Sequence, residues 1–94
     1  SLRSRDYASL IPDWRAKGYV VQMVFLSLPS WEVAQHRVNE RARQGGLRMA
    51  SDVVQRRYDT GLHNFHAVYK DLVDLWVHFD NAGPVPKLVD WSGA

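Results

Sequence analysis

The spacing of apolar positions divides the chain into alternating helical and extended segments. Tyr7, Leu10, Ile11 and Trp14 recur at helical intervals, which predicts a helix over about Ser4–Lys17. Pro12 falls inside it and is expected to kink or restart it, because it lacks an N–H and its ring crowds the preceding turn. Gly18 is suited to stop it. The stretch YVVQMVFLSL, Tyr19–Leu28, then reads as a strand. It is apolar almost without interruption, as in a parallel α/β sheet with both faces covered. A strand with one wet face would alternate more clearly.

Pro29 ends that strand. Ser30 is placed to cap a helix with Glu32 in its first turn. Trp31, Ala34, Val38 and Ala42 share one face as far as about Gln44. GGLRMAS breaks the pattern, and Ser51 is expected to cap the next helix. There Val54, Tyr58, Leu62, Phe65 and Tyr69 keep a helical rhythm to about Val73. LWVHFDN reads as a second strand, AGP as a turn, and PKLVDW as a short third strand that Pro86 confines to an edge or a strand beginning.

The expected order is α-β-α-α-β-β in a single small domain, residues 1–94. Its strands fall at 20–28, 75–80 and 87–91, and a helical segment at 30–73 links the first two. A strand, a long helical crossover and another strand imply a parallel pair. The fold class is therefore α/β, with a short, mostly parallel sheet.

Length and composition leave this picture in place but narrow it. A chain of 94 residues holds one thin core, helped by four Trp, four Tyr and three Phe. There is no cysteine, so neither a disulfide framework nor a thiolate metal site is available. No signal peptide is recognisable, and no apolar run approaches the roughly 18 residues of a membrane span; a cytoplasmic protein fits these features. The chain starts at Ser1 rather than Met, so the true start is expected to be missing or replaced.

Charge changes the picture more. The net charge is +2, but His36 to Arg57 holds six Arg against Glu40 and Asp52, or +4, which leaves −2 for the rest. Every basic residue in that segment is Arg, whose planar fork suits phosphate or carboxylate. Arg37 and Arg41 are i, i+4 on one helix, and Arg56 follows on the next, so a hairpin could gather them around an anion. The plainer alternative is a solvated face with local pairs, Glu40 with Arg43 and Asp52 with Arg56. Gly45–Gly46 is either a simple break permitting positive φ or a lid hinge. Nucleic-acid binding is disfavoured, because the total charge is small and no recognition motif is present.

Other candidates carry less. His63 and His66 share helical spacing, with His36 and His78 elsewhere, but no carboxylate stands at a zinc-ligand interval. They read as surface or cap residues. Asp71 and Asp74 read as turn and solubility residues, and Asp80–Asn81 as a strand end bonding its own turn. Trp14, Trp31 and Trp76 read as core.

Taken in order, these motifs resemble the C-terminal half of zeta-toxin-like P-loop kinases. The shared features are the strand ending in Leu28-Pro29, Arg37-Val38 with Arg41, Gly45-Gly46-Leu47, Arg56-Arg57-Tyr58 and Asp80-Asn81-Ala82. The similarity runs from about Tyr7 to Leu88. It implies a fragment of a three-layer kinase fold from a family that phosphorylates a small-molecule hydroxyl, UDP-N-acetylglucosamine being the known substrate, with ATP and magnesium. It makes Arg37, Arg41, Arg56 and Arg57 the phosphate-binding candidates and Gly45–Gly46 the lid hinge.

Departures set the limits. No GxxxxGK[ST] loop is present, Leu47 stands where the family has His, and Ala82 stands where it has Ser. The resemblance thus implies a non-catalytic remnant or a separately encoded half, inactive alone, with no catalytic residue, metal or cofactor of its own. The alternatives are a dimeric interaction module and an anion- or nucleotide-binding module. The strand matching Val20–Leu28 lies inside the family's sheet. Without its neighbours it should associate, either as a homo-oligomer or with a second chain supplying the nucleotide loop.

Overall fold

The computed structural model describes residues 6–93. The first two residues of the expected N-terminal helix, Ser4 and Arg5, lie outside them. Helix α1 (Asp6–Ala16) runs through Pro12 without interruption. Pro12 is exposed, while Ile11 next to it is almost fully buried. The missing N–H leaves the Ala8 carbonyl without its helical donor, and the packing of Ile11, Ala8 and Trp14 keeps the helix together. At its end Gly18 takes φ +92°, its N–H donates to Arg15 O at 3.0 Å, and Tyr19 N–H donates to Trp14 O at 3.1 Å. These are the two bonds of a Schellman cap.

Strand β1 (Gln22–Ser27) leads to helix α2 (Trp31–Arg43), whose first turn is capped by Ser30 Oγ accepting from Val33 N–H at 3.4 Å. Helix α3 (Ser51–Asn64) starts differently from expectation. Ala50 occupies the capping position with no side-chain bond, and Ser51 is already helical. The helix then opens into a π-turn at Phe65–Tyr69, with Lys70 N–H bonded back to Phe65 O, before the short α4 (Lys70–Leu72). Strands β2 (Leu75–Asp80) and β3 (Lys87–Trp91) complete the chain.

The molecule is a mixed α/β fold. Its sheet has the order β1-β2-β3, with β1 parallel to β2 and β2 antiparallel to β3. The expectation of a mostly parallel sheet is thus corrected. The AGP turn is too short for a crossover, so β3 can only return antiparallel.

Register assigns the faces. Gln22 pairs with Leu75, Val24 with Val77 and Leu26 with Phe79, while Met23, Phe25 and Ser27 align with Trp76, His78 and Asp80. The second set faces the helices. Phe65, fully buried, stacks on Phe25 with centroids 4.3 Å apart and meets Trp76 and His78 edge-on. Beside it, Ile11, Tyr69 and Val73 form a core cluster with Trp14, Val21, Met23 and Trp76 packed against it.

The first set faces away from the helices, so β1 is not covered on both faces, as its continuous apolar run suggests. It alternates between exposed and half-buried residues, and Val24 and Leu26 are 59% and 52% exposed. The run is continuous because the uncovered face is apolar as well.

Two polar links fasten this frame. Asp74 Oδ2 accepts from Val21 N–H at 2.8 Å, and Asp74 Oδ1 pairs with Arg15 at 2.9 Å. Arg15 also donates to Leu72 O at 2.9 Å, so α1, the end of α4 and the start of β1 meet at one carboxylate. Asp74 is therefore a structural anchor rather than a turn residue kept for solubility. No helix among the described residues is long and apolar enough to cross a membrane.

Candidate functional site

In open α/β sheets, ligands gather beyond the carboxyl ends of the parallel strands. Here that end is bounded by Ser27, Leu28 and Asp80, by the first turn of α2, and by Tyr58 of α3. Tyr58 O–H donates to Leu28 O at 2.8 Å, joining α3 to the end of β1. Burial raises the Tyr58 pKa, and the carboxylates of Asp59, Glu32 and Asp80 raise it further. Tyr58 therefore stays a neutral hydrogen-bond donor in an acidic neighbourhood. Asp80 Oδ1 accepts from Ala82 N–H at 2.9 Å, which fixes the turn after β2 as its Asp-Asn sequence suggests.

Arg37 reaches this end from α2. Its guanidinium donates to Asn81 O and, at 3.3 Å, to Ala82 O. The side chain is half-buried and acts as a fastener between α2 and the β2 exit. Arg41, one turn on, is exposed, and its guanidinium has no partner among the described residues.

Arg56 and Arg57 lie elsewhere, on the solvent side of α3. With Val53 and Thr60 they line a shallow groove of about 390 Å³. Arg56 pairs loosely with Asp52 at 3.7 Å, and Arg57 Nη1 sits 3.5 Å from Met49 Sδ. The four candidate arginines therefore do not share one groove. The structure joins Arg56 to Arg57, ties Arg37 to backbone carbonyls and leaves Arg41 in solvent. The plain alternative pairs, Glu40–Arg43 and Asp52–Arg56, are both present.

Gly45 and Gly46 have separate geometric reasons. Gly45 takes φ +94°, and an added Cβ on Gly46 would lie 2.9 Å from Arg41 O. Gly45 N–H donates to Ala42 O at 3.1 Å and Gly46 N–H to Arg41 O at 2.7 Å, the same cap that closes α1. As built, the pair ends α2 with its last carbonyls satisfied.

His78 was expected at the surface or at a cap. It is buried, at 7% exposure, with Nε2 2.6 Å from Ser27 Oγ and its ring packed beside the stacked Phe25 and Phe65 rings. The His66 ring lies 6.0 Å away, between centroids. Burial lowers the His78 pKa, and the charges of His66 and Lys70 lower it further, against opposition from Asp90 and Asp80. His36, His63 and His66 are exposed, and no group of three metal-binding side chains occurs among the described residues. Trp14, Trp31 and Trp76 are half-buried. Lys70 Nζ stands 4.2 Å over the Trp76 ring, a cation–π contact that shields the edge of the core.

The chain matches no protein-family model, no curated protein and no solved structure.

Proposed function

We propose that this chain is a non-catalytic association module, the C-terminal half of a zeta-toxin-like kinase fold that keeps lid-type arginines and has no nucleotide loop. One observation carries the association reading. The helices cover a single face of the sheet, and the other face leaves Val24, Leu26, Leu75, Leu88 and Trp91 about half exposed. A sheet with a largely apolar face buries it against another layer. The kinase origin is supported by the order of motifs and by a parallel strand pair joined through an arginine-bearing helical hairpin.

ATP and magnesium do not fit the residues present. In P-loop kinases their binding uses a GxxxxGK[ST] loop, a backbone cradle followed by Lys and a hydroxyl side chain, and this sequence contains no such loop. Calorimetric titration with Mg-ATP and with UDP-N-acetylglucosamine is expected to give no heat of binding. Turnover of ATP by the chain alone would overturn the reading.

A second reading, anion binding without catalysis, has the Arg56–Arg57 groove in its favour. It predicts that inorganic phosphate or a nucleotide binds weakly and that Arg56→Ala weakens it.

A further inference from the structure

The two edges and two faces of the sheet are finished differently. The β3 edge is guarded by Pro84, Pro86, Lys87 and Asp90 and by a register shift opposite His78/Phe79, devices that discourage strand addition. The inner face of β1 and β2 is packed against the helices, whereas β3 is exposed along its length. The outer face presents Gln22, Val24 and Leu26 from β1, Leu75, Val77 and Phe79 from β2, and Leu88 and Trp91 from β3. No charged residue lies on it, and Gln22 at its corner is its one polar side chain.

We infer that this outer face packs against the same face of a second copy, forming a two-fold dimer with helices outside and two sheets inside. The inference rests on the association reading and names its partner. Self-packing suits the chemistry, because a face without charges meets no like-charge repulsion when opposed to itself. It suits the size as well. Seven large apolar side chains, five of them about half exposed, offer roughly 500 Å² per copy, so the pair reaches the ~1,000 Å² that a stable interface requires. Two twisted sheets align at about −30° when their inner faces interdigitate. Val77 and Phe79, on the central strand, then lie at the middle of the interface, with Trp91 and Leu88 toward one side and Val24 and Leu26 toward the other.

Size-exclusion chromatography with light scattering at tens of micromolar is expected to give twice the mass of one chain. Leu88→Lys and Val24→Lys each place a charge on the exposed face, where the fold tolerates it. Each should weaken dimerisation by about tenfold or more. Far-UV circular dichroism confirms that each variant is folded, and Leu88→Gln serves as a milder second variant.

The Leu88 substitutions also separate face packing from pairing along β1. Leu88 is on the strand farthest from that edge, so a dimer unchanged by them overturns the face-to-face arrangement. A monomeric wild type overturns the dimer, whether or not the nucleotide titrations above remain silent. Those titrations decide only the nucleotide part of the proposed function; the association reading survives a dimer that ignores the Leu88 substitutions and fails with a monomeric wild type.

Discussion

Ser27 and His78 are joined across the parallel β1–β2 pair by a contact of 2.6 Å between Oγ and Nε2, under the ring of Phe65. The pair makes stability depend on pH in a definite direction. His78 and His66 both have pKa values lowered from 6.5, first by burial and then by neighbouring positive charge, Lys70 acting on both. The groups facing them are Lys70 from the helix, Asp80 from β2 and Asp90 from β3, and the two carboxylates only partly oppose the shift. Below 6.5 the unfolded chain therefore binds more protons than the folded one, and stability falls as pH drops. The contribution is complete above 6.5 and is lost progressively below it, at no more than about 1.4 kcal/mol per pH unit for one histidine. Urea midpoints measured between pH 5 and 7 check this. His78→Gln keeps a partner for Ser27 and removes the titration, so it should flatten most of the slope. An unchanged slope would assign the effect to other groups.

Asp74 should matter more than its position in a turn suggests. It accepts one backbone hydrogen bond from Val21 and pairs with Arg15. A hydrogen bond to a charged group contributes about 1.5–3 kcal/mol, whereas a partly exposed ion pair contributes under about 1 kcal/mol. Asp74→Ala should therefore destabilise by about 2 kcal/mol and Arg15→Ala by about half of that. Chemical denaturation of both variants and of the double variant gives the ranking and the coupling energy. Equal losses from the two single variants would put the energy in the ion pair instead.

What could be read from the sequence divides along physical lines. Helical periodicity, the Ser30 cap and the Gly18 and Gly45 stops are local signals, and they locate α1, β1, α2 and both later strands. Pro12 does not restart α1, which continues through it from Asp6 to Ala16. The π-turn is invisible to a fixed helical period; it begins at Phe65, which packs against Phe25 and Trp76. The uncovered sheet face was hidden because an apolar run looks the same whether its second face meets helices or nothing. The arginine cluster was visible as composition, but its division between the β2 exit and the outside of α3 depends on which helix face each residue takes. Asp74 and His78 were passed over because their partners lie 53 and 51 residues away. A parallel register drawn from the sequence could have brought Ser27 and His78 close.

The glycine pair after α2 permits a sharp test of cap against hinge. Gly45→Ala forces a Cβ into φ +94°, a conformation that costs an L-residue about 1–2 kcal/mol. Gly46→Ala has ordinary backbone angles but places its Cβ 2.9 Å from Arg41 O. Both should lower the thermal midpoint, Gly46→Ala by displacing the last turn of α2. If the pair serves only as a hinge, substitution would restrict motion without a comparable loss of stability.

Finally, the arginines should separate into two functional classes. Arg37 is half-buried and satisfies the carbonyls of Asn81 and Ala82. Arg37→Ala removes charge-assisted bonds to backbone at the β2 exit and should cost about 1–2 kcal/mol with or without any ligand. Arg56 and Arg57 are exposed, and the Asp52 partner of Arg56 is itself in solvent. Their alanine variants should change stability by less than about 0.5 kcal/mol, as surface substitutions do. If the groove they line holds an anion, the opposite pattern appears in binding. Inorganic phosphate should raise the thermal midpoint of the wild type and of Arg37→Ala alike, and the increase should vanish in Arg56→Ala/Arg57→Ala. Equal loss of the phosphate effect in Arg37→Ala would join all three arginines in one clamp and overturn the division.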